Sequence, residues 1–315
     1  MQSGRQLATG TRTIRTMLCA IWSHSLFSCP LLALRCYKNL FVLLTKTEMT
    51  DPYDFWRKIG SPKLVVAPMV DNSELAYREL TRRHGAQLVY TQMFNSNIFV
   101  QSKIVRKQLF VTCASDRPLI VQFAGHDPQT MLGAAKYVED HCDAVDINLG
   151  CPQGIAKRGR YGAFLMEELD LLHDIVSTMV KGLKVPVTCK TRIYHDFDKS
   201  IKLLETLANA GASALTVHGR TREEKGHRVR EANWLMIRRI KEHFSQRNPP
   251  IPIIANGGIE TYEDALRCLE ITGADAVMSS EAILENPALF AGSLQAHSVR
   301  DVIDLTGKYY NKLLS

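Results

Sequence analysis

Residues 144–152 read AVDINLGCP, and their alternation decides the fold. In an extended chain Val145, Ile147 and Leu149 share one face while Asp146 and Asn148 share the other, because successive strand side chains point to opposite sides. The pattern recurs downstream. In VPVTCKTR (185–192) Val185, Val187 and Cys189 oppose Thr188, Lys190 and Arg192, and in ALTVHG (214–219) Leu215 and Val217 oppose Thr216 and His218. Working outward, LVVAPM (64–69), LVYTQM (88–93), PLIVQF (118–123), PIIANG (252–257) and AVMSS (276–280) bring the strand candidates to eight. Stretches of helical period lie between them at 73–84, 128–142, 170–182, 199–210, 234–244 and 261–272. Eight strand and helix units over about 220 residues predict a (β/α)₈ TIM barrel, with its site at the C-terminal strand ends. A doubly wound sheet would carry a glycine-rich turn after its first strand, but Ala67-Pro68-Met69-Val70-Asp71 contains no glycine.

At 315 residues, 45% hydrophobic and 23% charged, the chain excludes disorder, collagen and simple repeats. The net charge of +7 is concentrated at the start, where residues 1–48 hold six basic side chains and a single acid, Glu48. Bulk charge is therefore a weak argument for nucleic-acid binding, and any basic surface must be local. The acid-free, Arg/Ser/Thr-rich segment resembles a mitochondrial presequence; the alternative is an extension ahead of a working start at Met49. The expected location is cytoplasmic, or mitochondrial if that segment is a presequence. Its apolar stretch from Met17 to Leu34 is broken by polar residues and Pro30, so no stable membrane association is expected. Eight cysteines without a C-x-x-C pair predict no metal site of ordinary spacing and a reducing compartment.

Cys151 follows a strand end and Gly150, and precedes a loop carrying Lys157, Arg158 and Arg160, an electropositive setting that favours chemistry over a buried structural thiol. An inward Lys190 needs an anionic or electron-rich partner, and a structural ion pair with Asp146 is the bland alternative. His218 alone reads as a satisfied core histidine. Asn256-Gly257-Gly258 before a helix allows close backbone approach to a phosphate, where a plain turn is the alternative. Together these residues suit a phosphorylated cofactor across the barrel mouth, and flavin mononucleotide (FMN) fits that shape.

In family order, APM (67–69), VQFAG (121–125), DINLGCPQ (146–153), YGAFL (161–165), VTCKTR (187–192), TVHGRT (216–221), ANGGI (255–259) and NPALF (286–290) resemble the tRNA-dihydrouridine synthase family. The GCPQ element followed by AKRGRYGAFL is most similar to the eukaryotic branch acting at tRNA positions 16 and 17. The resemblance implies an FMN oxidoreductase, with NADPH or NADH as electron donor, that saturates the C5–C6 bond of D-loop uridines in tRNA. It implies that Pro68, Met69 and Val70 pass beneath the flavin, Gln122 bonds its ring, Lys190 faces the N1/O2 edge and His218 touches the cofactor. Asn256, Gly257 and Gly258 would hold the phosphate. Cys151 would protonate C5, Asn148 would bond the uracil, and Lys157, Arg158, Arg160, Arg192, Arg220 and Arg222 would form a basic rim for tRNA, together with Lys225, Arg228 and Arg230. The alternative for the rim is a solvated surface.

The chain departs from the family where Ser280-Glu281 stands after the eighth strand in place of Gly-Arg, so backbone N–H groups must serve a phosphate there or the glutamate must turn away. The expected organisation is an N-terminal extension (1–48), an FMN-binding barrel (62–290) and the short start of a helical tRNA-binding region (291–315). Two other functions stay open at this point: an FMN barrel acting on a free pyrimidine, and a catalytically idle RNA-binding form.

Overall fold

The computed structural model describes residues 51–292. The expectations for residues 1–48 and 293–315 lie outside them.

Eight strands stand where the apolar runs predict: β1 (Leu64–Val66), β2 (Leu88–Tyr90), β3 (Leu119–Ala124), β4 (Ala144–Leu149), β5 (Val187–Arg192), β6 (Ala214–His218), β7 (Ile253–Asn256) and β8 (Ala276–Ser279). Every pairing between neighbours is parallel, β1 pairs with β8, and β2 pairs with β3, so the sheet closes on itself. That closure makes a (β/α)₈ barrel and excludes the open sheet. A two-residue strand, Phe94–Asn95, continues alongside the end of β3.

The helices are α1 (Pro52–Lys58), α2 (Leu75–Arg83), α3 (Ser96–Gln101), α4 (Lys103–Leu109), α5 (Pro128–Lys136), α6 (Gly154–Arg158), α7 (Leu169–Gly182), α8 (Phe197–Asn209), α9 (Trp234–Gln246), α10 (Tyr262–Thr272) and α11 (Glu281–Glu285). Asp127, Asp196 and Asn233 accept the N–H three residues on at the starts of α5, α8 and α9, and Thr261 with Asp264 closes a capping box on α10. Each such cap contributes about 1 kcal/mol. The predicted helix 128–142 stops at Lys136 and resumes as a 3₁₀ turn at Glu139–His141. Glu139 opens that turn, and its carboxylate accepts from the Lys184 N–H at 2.9 Å and from Lys136 Nζ. Among the described residues no helix is long and apolar enough to cross a membrane, and no three potential metal ligands cluster.

Alternation divides each strand between two cores. Outward residues such as Val145, Ile147, Leu215 and Val217 pack on the helices. The lower lumen holds Val65, Leu88, Tyr90, Ile120, Ala144, Ile254 and Ala276, closed by Phe55 and Trp56 of α1. The sequence reading contains no such floor, since seven residues are too few to show a period.

One buried ion pair connects the outer wall to the mouth. Arg78 of α2 and Asp116 are 2% and 0% exposed, with Nη2 and Oδ2 2.5 Å apart. Asp116 also accepts from Arg82 Nη2 and Thr112 Oγ1, while Arg78 Nη1 donates to the Ser73 carbonyl at 2.7 Å. Ser73 Oγ in turn accepts the Met69 N–H at 2.9 Å, which fixes the turn after β1. Removing one member of a buried pair strands the other, at a cost of about 3–5 kcal/mol. Asp116→Ala is therefore expected to lower unfolding stability by about that amount, measured by urea titration; a change below about 1 kcal/mol, the level of an exposed pair, would overturn this account.

Candidate active site

The upper lumen is polar, and its groups form one chain. Thr188 Oγ1 and Gln122 Nε2 donate to the two oxygens of Asp146 at 2.6 and 2.8 Å. Gln122 Oε1 accepts from Asn148 Nδ2 at 2.8 Å, and Asn148 Oδ1 accepts the N–H groups of Gly150 and Cys151 at 3.1 and 3.0 Å. The strands β3, β4 and β5 thus deliver an oriented line of hydrogen bonds to the turn that carries Cys151. Asn148, expected to meet a uracil, spends its carbonyl on that turn and retains one amide hydrogen for a ligand.

Lys190 lies beside this chain without bonding to it. Its Nζ donates to Asn256 Oδ1 at 2.7 Å, and Asn256 Nδ2 donates to the Met278 carbonyl. The ion pair with Asp146, the bland alternative, is not among its hydrogen bonds. Burial and the neighbouring charge of Arg192 push Lys190 down to about 8, against the pull of Asp146 and Cys151. His218 is held well below its ordinary value by burial first, and then by the charges of Lys190, Arg192 and Arg220. Arg220 Nη1 stands 3.4 Å from His218 Nε2. A guanidinium can only donate, so Nε2 is the acceptor and the neutral ring carries its proton on Nδ1.

Gly257 and Gly258 follow β7 with φ of +103° and +73°. A Cβ on Gly257 would sit 2.9 Å from the His218 ring and 3.0 Å from the Ala232 Cβ, so a side chain is excluded by space as well as by conformation. Trp234 Nε1 anchors the Gly257 carbonyl at 2.9 Å, while neither glycine N–H has an acceptor among the described residues. These glycines line one cleft with His218, Arg220, Asn256, Ser280 and Glu281. Glu281 is exposed, and Ser280 makes no side-chain cap on α11. Pro68 is half-buried, Met69 buried and Val70 exposed in the turn after β1.

Cys151 is partly exposed and packs against the small apolar cluster of Ala124, Ala156 and Tyr161. Its carbonyl accepts the Ala163 N–H at 3.0 Å, and a Cβ on Gly162 (φ +67°) would come within 2.6 Å of that same oxygen. Arg192 does not stand on an exposed rim. It is buried, with Nε on the Gly150 carbonyl at 2.8 Å and Nη1 on the Thr221 carbonyl at 2.9 Å, and burial and Arg220 lower it to about 10. Its length lets it leave the lumen and staple two loops, which alternation alone could not reveal. Lys157 and Arg158 are exposed on α6, Arg160 pairs with Glu168 at 3.1 Å, and Arg222 pairs with Glu223 and Glu167 over the Phe164 ring. Sequence reasoning missed Ser73 and Trp234 as supports of the site. Ser73, four residues after Met69, carries only the weak signal of a hydroxyl in a turn.

Burial raises Asp146 to about 6 from 3.8, against its bonds to Thr188 and Gln122 and the charge of Lys190. Between those two values the folded chain keeps a proton that the unfolded chain has released, so Asp146 favours folding most at the acid end and loses that contribution as pH rises through about 6. The stability difference between wild type and Asp146→Asn, from urea midpoints at pH values of about 4 to 7, is expected to fall with rising pH; a flat difference would contradict the assignment.

A family model described as dihydrouridine synthase (Dus) matches residues 65–306. The chain is 52% identical over 236 residues to the tRNA-dihydrouridine(16/17) synthase [NAD(P)(+)] of Saccharomyces cerevisiae, covering 74% of this chain and 55% of that protein. It is 49% identical over 243 residues to the tRNA-dihydrouridine(16/17) synthase [NAD(P)(+)]-like protein of Rattus norvegicus, covering 76% and 54%. It is also 39% identical over 245 residues to the tRNA-dihydrouridine(20a/20b) synthase [NAD(P)+]-like protein of Homo sapiens, covering 77% and 74%. The chain spans about half the length of the 16/17 relatives. With the family model matched across the whole barrel, from β1 through β8, this chain belongs to the dihydrouridine synthase family.

Proposed function

We propose that this barrel reduces the C5–C6 double bond of D-loop uridines in tRNA, at positions 16 and 17 as in the names of its relatives, with FMN as cofactor and NADPH or NADH as electron source. The observation that carries the reading is the placement of a partly exposed Cys151 at the end of the Asp146–Gln122–Asn148 chain, on the barrel mouth that also holds Lys190, His218 and the glycine turn.

The residues fit the cofactor. The N–H groups of Gly257 and Gly258, without an acceptor among the described residues, suit a phosphate, and the half-buried Lys190, with no carboxylate among its hydrogen bonds there, suits an electron-rich ring edge. Gln122 keeps a second amide hydrogen, and His218 offers Nδ1–H, for further contacts. Met69 and Pro68 present the floor of the turn after β1. The chemistry that the bound group supplies is hydride delivery to C6 of a uracil. The Cys151 thiol gives its proton to C5 as general acid, from a backbone held by Asn148 and Ala163. The remaining amide hydrogen of Asn148 orients the base. A base inside a folded RNA must be flipped out to reach this depth. Lys157 and Arg158, exposed and outside any ion pair among the described residues, suit phosphate contacts, as does Arg220 at the cleft edge.

Incubating the purified chain with FMN, NADPH and an unmodified tRNA transcript is expected to yield dihydrouridine in the D-loop, mapped by mass spectrometry. Cys151→Ala is expected to lower the rate by about 10²- to 10⁴-fold, the range for a general acid. Absence of product from a flavin-loaded wild-type chain would overturn the reading.

A further inference from the structure

The peptide that carries Cys151 is gripped on both sides of the thiol by cations from elsewhere in the chain, one at the end of β5 and one in the loop after β6. Arg192 Nε takes the Gly150 carbonyl at 2.8 Å, and Lys225 Nζ takes the Pro152 carbonyl. Lys225 comes from 73 residues further along the chain, in the loop after β6. That loop is itself fixed by the same arginine, because Nη1 of Arg192 donates to the carbonyls of Thr221 and Glu224 at 2.9 and 3.4 Å. The Thr221 N–H on Glu224 Oε2 at 2.7 Å and the Arg228 N–H on the Lys225 carbonyl at 3.1 Å complete the turn. Lys225 forms no ion pair among the described residues, and its ammonium is directed to a backbone oxygen next to the thiol.

We propose that Lys225 is a positioning residue for Cys151: by holding the Pro152 carbonyl it fixes the C-terminal side of the thiol-bearing peptide, where Asn148 and Arg192 fix the N-terminal side. This rests on the reading of Cys151 as proton donor, and it replaces the expectation that Lys225 contacts tRNA. A charge-assisted bond to a carbonyl is stronger than a neutral one. Without it the C-terminal side keeps only the Ala163 N–H on the Cys151 carbonyl among the described contacts, and a displacement of about 1 Å at a reacting group can cost about 10²-fold in rate. The contact also ties the loops after β4 and β6 across a shared cleft, which Pro152, Gln153, Lys225 and Gly226 line together.

The test compares wild type, Lys225→Met and Lys225→Arg in the full chain. Hydrogen exchange of the amides at 150–154 and alkylation of Cys151 by iodoacetamide, both resolved by peptide mass spectrometry, are expected to speed up about tenfold in Lys225→Met, the weight of one such bond in local opening. On a tRNA transcript, kcat is expected to fall about 10- to 100-fold while KM for tRNA and the melting temperature hold, with Lys225→Arg restoring most of the loss. A raised KM with kcat preserved and a shallower salt dependence would make Lys225 a phosphate contact and overturn the proposal. So would unchanged exchange at 150–154. If the wild-type chain makes no dihydrouridine, the reading of Cys151 fails, and exchange and alkylation still decide whether Lys225 holds the peptide.

Discussion

A carboxylate placed in a barrel lumen must be satisfied by donors, and the way Asp146 is satisfied sets the direction of everything above it. Ionised, it can only accept, so Gln122 presents its amino group downward and its carbonyl upward. Asn148 then presents its amino group to that carbonyl, which leaves its own oxygen for the Gly150 and Cys151 N–H groups. Polarity chosen at one buried atom is handed through two amides to a loop at the surface. Apolar residues could fill the same volume with less desolvation, but they could not specify which way a neighbouring peptide faces.

The opposite problem governs the other half of the mouth. Lys190, Arg192, Arg220 and His218 crowd together; burial first, and then their mutual charge, which the carboxylates within reach offset only in part, loosens the protons of Lys190 and Arg192 and keeps His218 neutral. Repulsion of this kind weakens the fold locally and makes the mouth receptive to negative charge. The stabilising groups lie elsewhere, in the apolar wall under the helices and in the Arg78–Asp116 pair, which reaches the site through Ser73 and the Met69 N–H.

The strands were legible because parallel strands buried on both faces read as dense apolar runs, and the outward-inward alternation of Asp146, Asn148, Thr188 and Lys190 followed from spacing alone. Cys151, His218 and Gly257 were legible as unusual residues at strand ends. What stayed hidden was long-range partnership. Alternation points Lys190 inward, but only the fold decides that Asn256 receives it; Arg192 is long enough to reach carbonyls on two loops, and Lys225 meets Pro152 across a large gap in sequence. Helix α4 was missed for a different reason: it has no buried residue, so it offers no apolar stripe to detect.

The floor of the lumen bears on where this domain begins. An outline drawn from the first strand starts the barrel near residue 62, yet Phe55 and Trp56 of Pro52–Lys58 are packed beneath Val65, Leu88 and Ala276 as part of the same interior. Asp51 caps that helix through the Tyr53 N–H, and the Tyr53 hydroxyl reaches Asp275 just ahead of β8. An expression boundary placed at the first strand would remove two aromatic side chains from the base of the lumen and open a greasy hole there, inviting self-association of an otherwise intact barrel. The smallest sound barrel fragment therefore starts at or before Asp51.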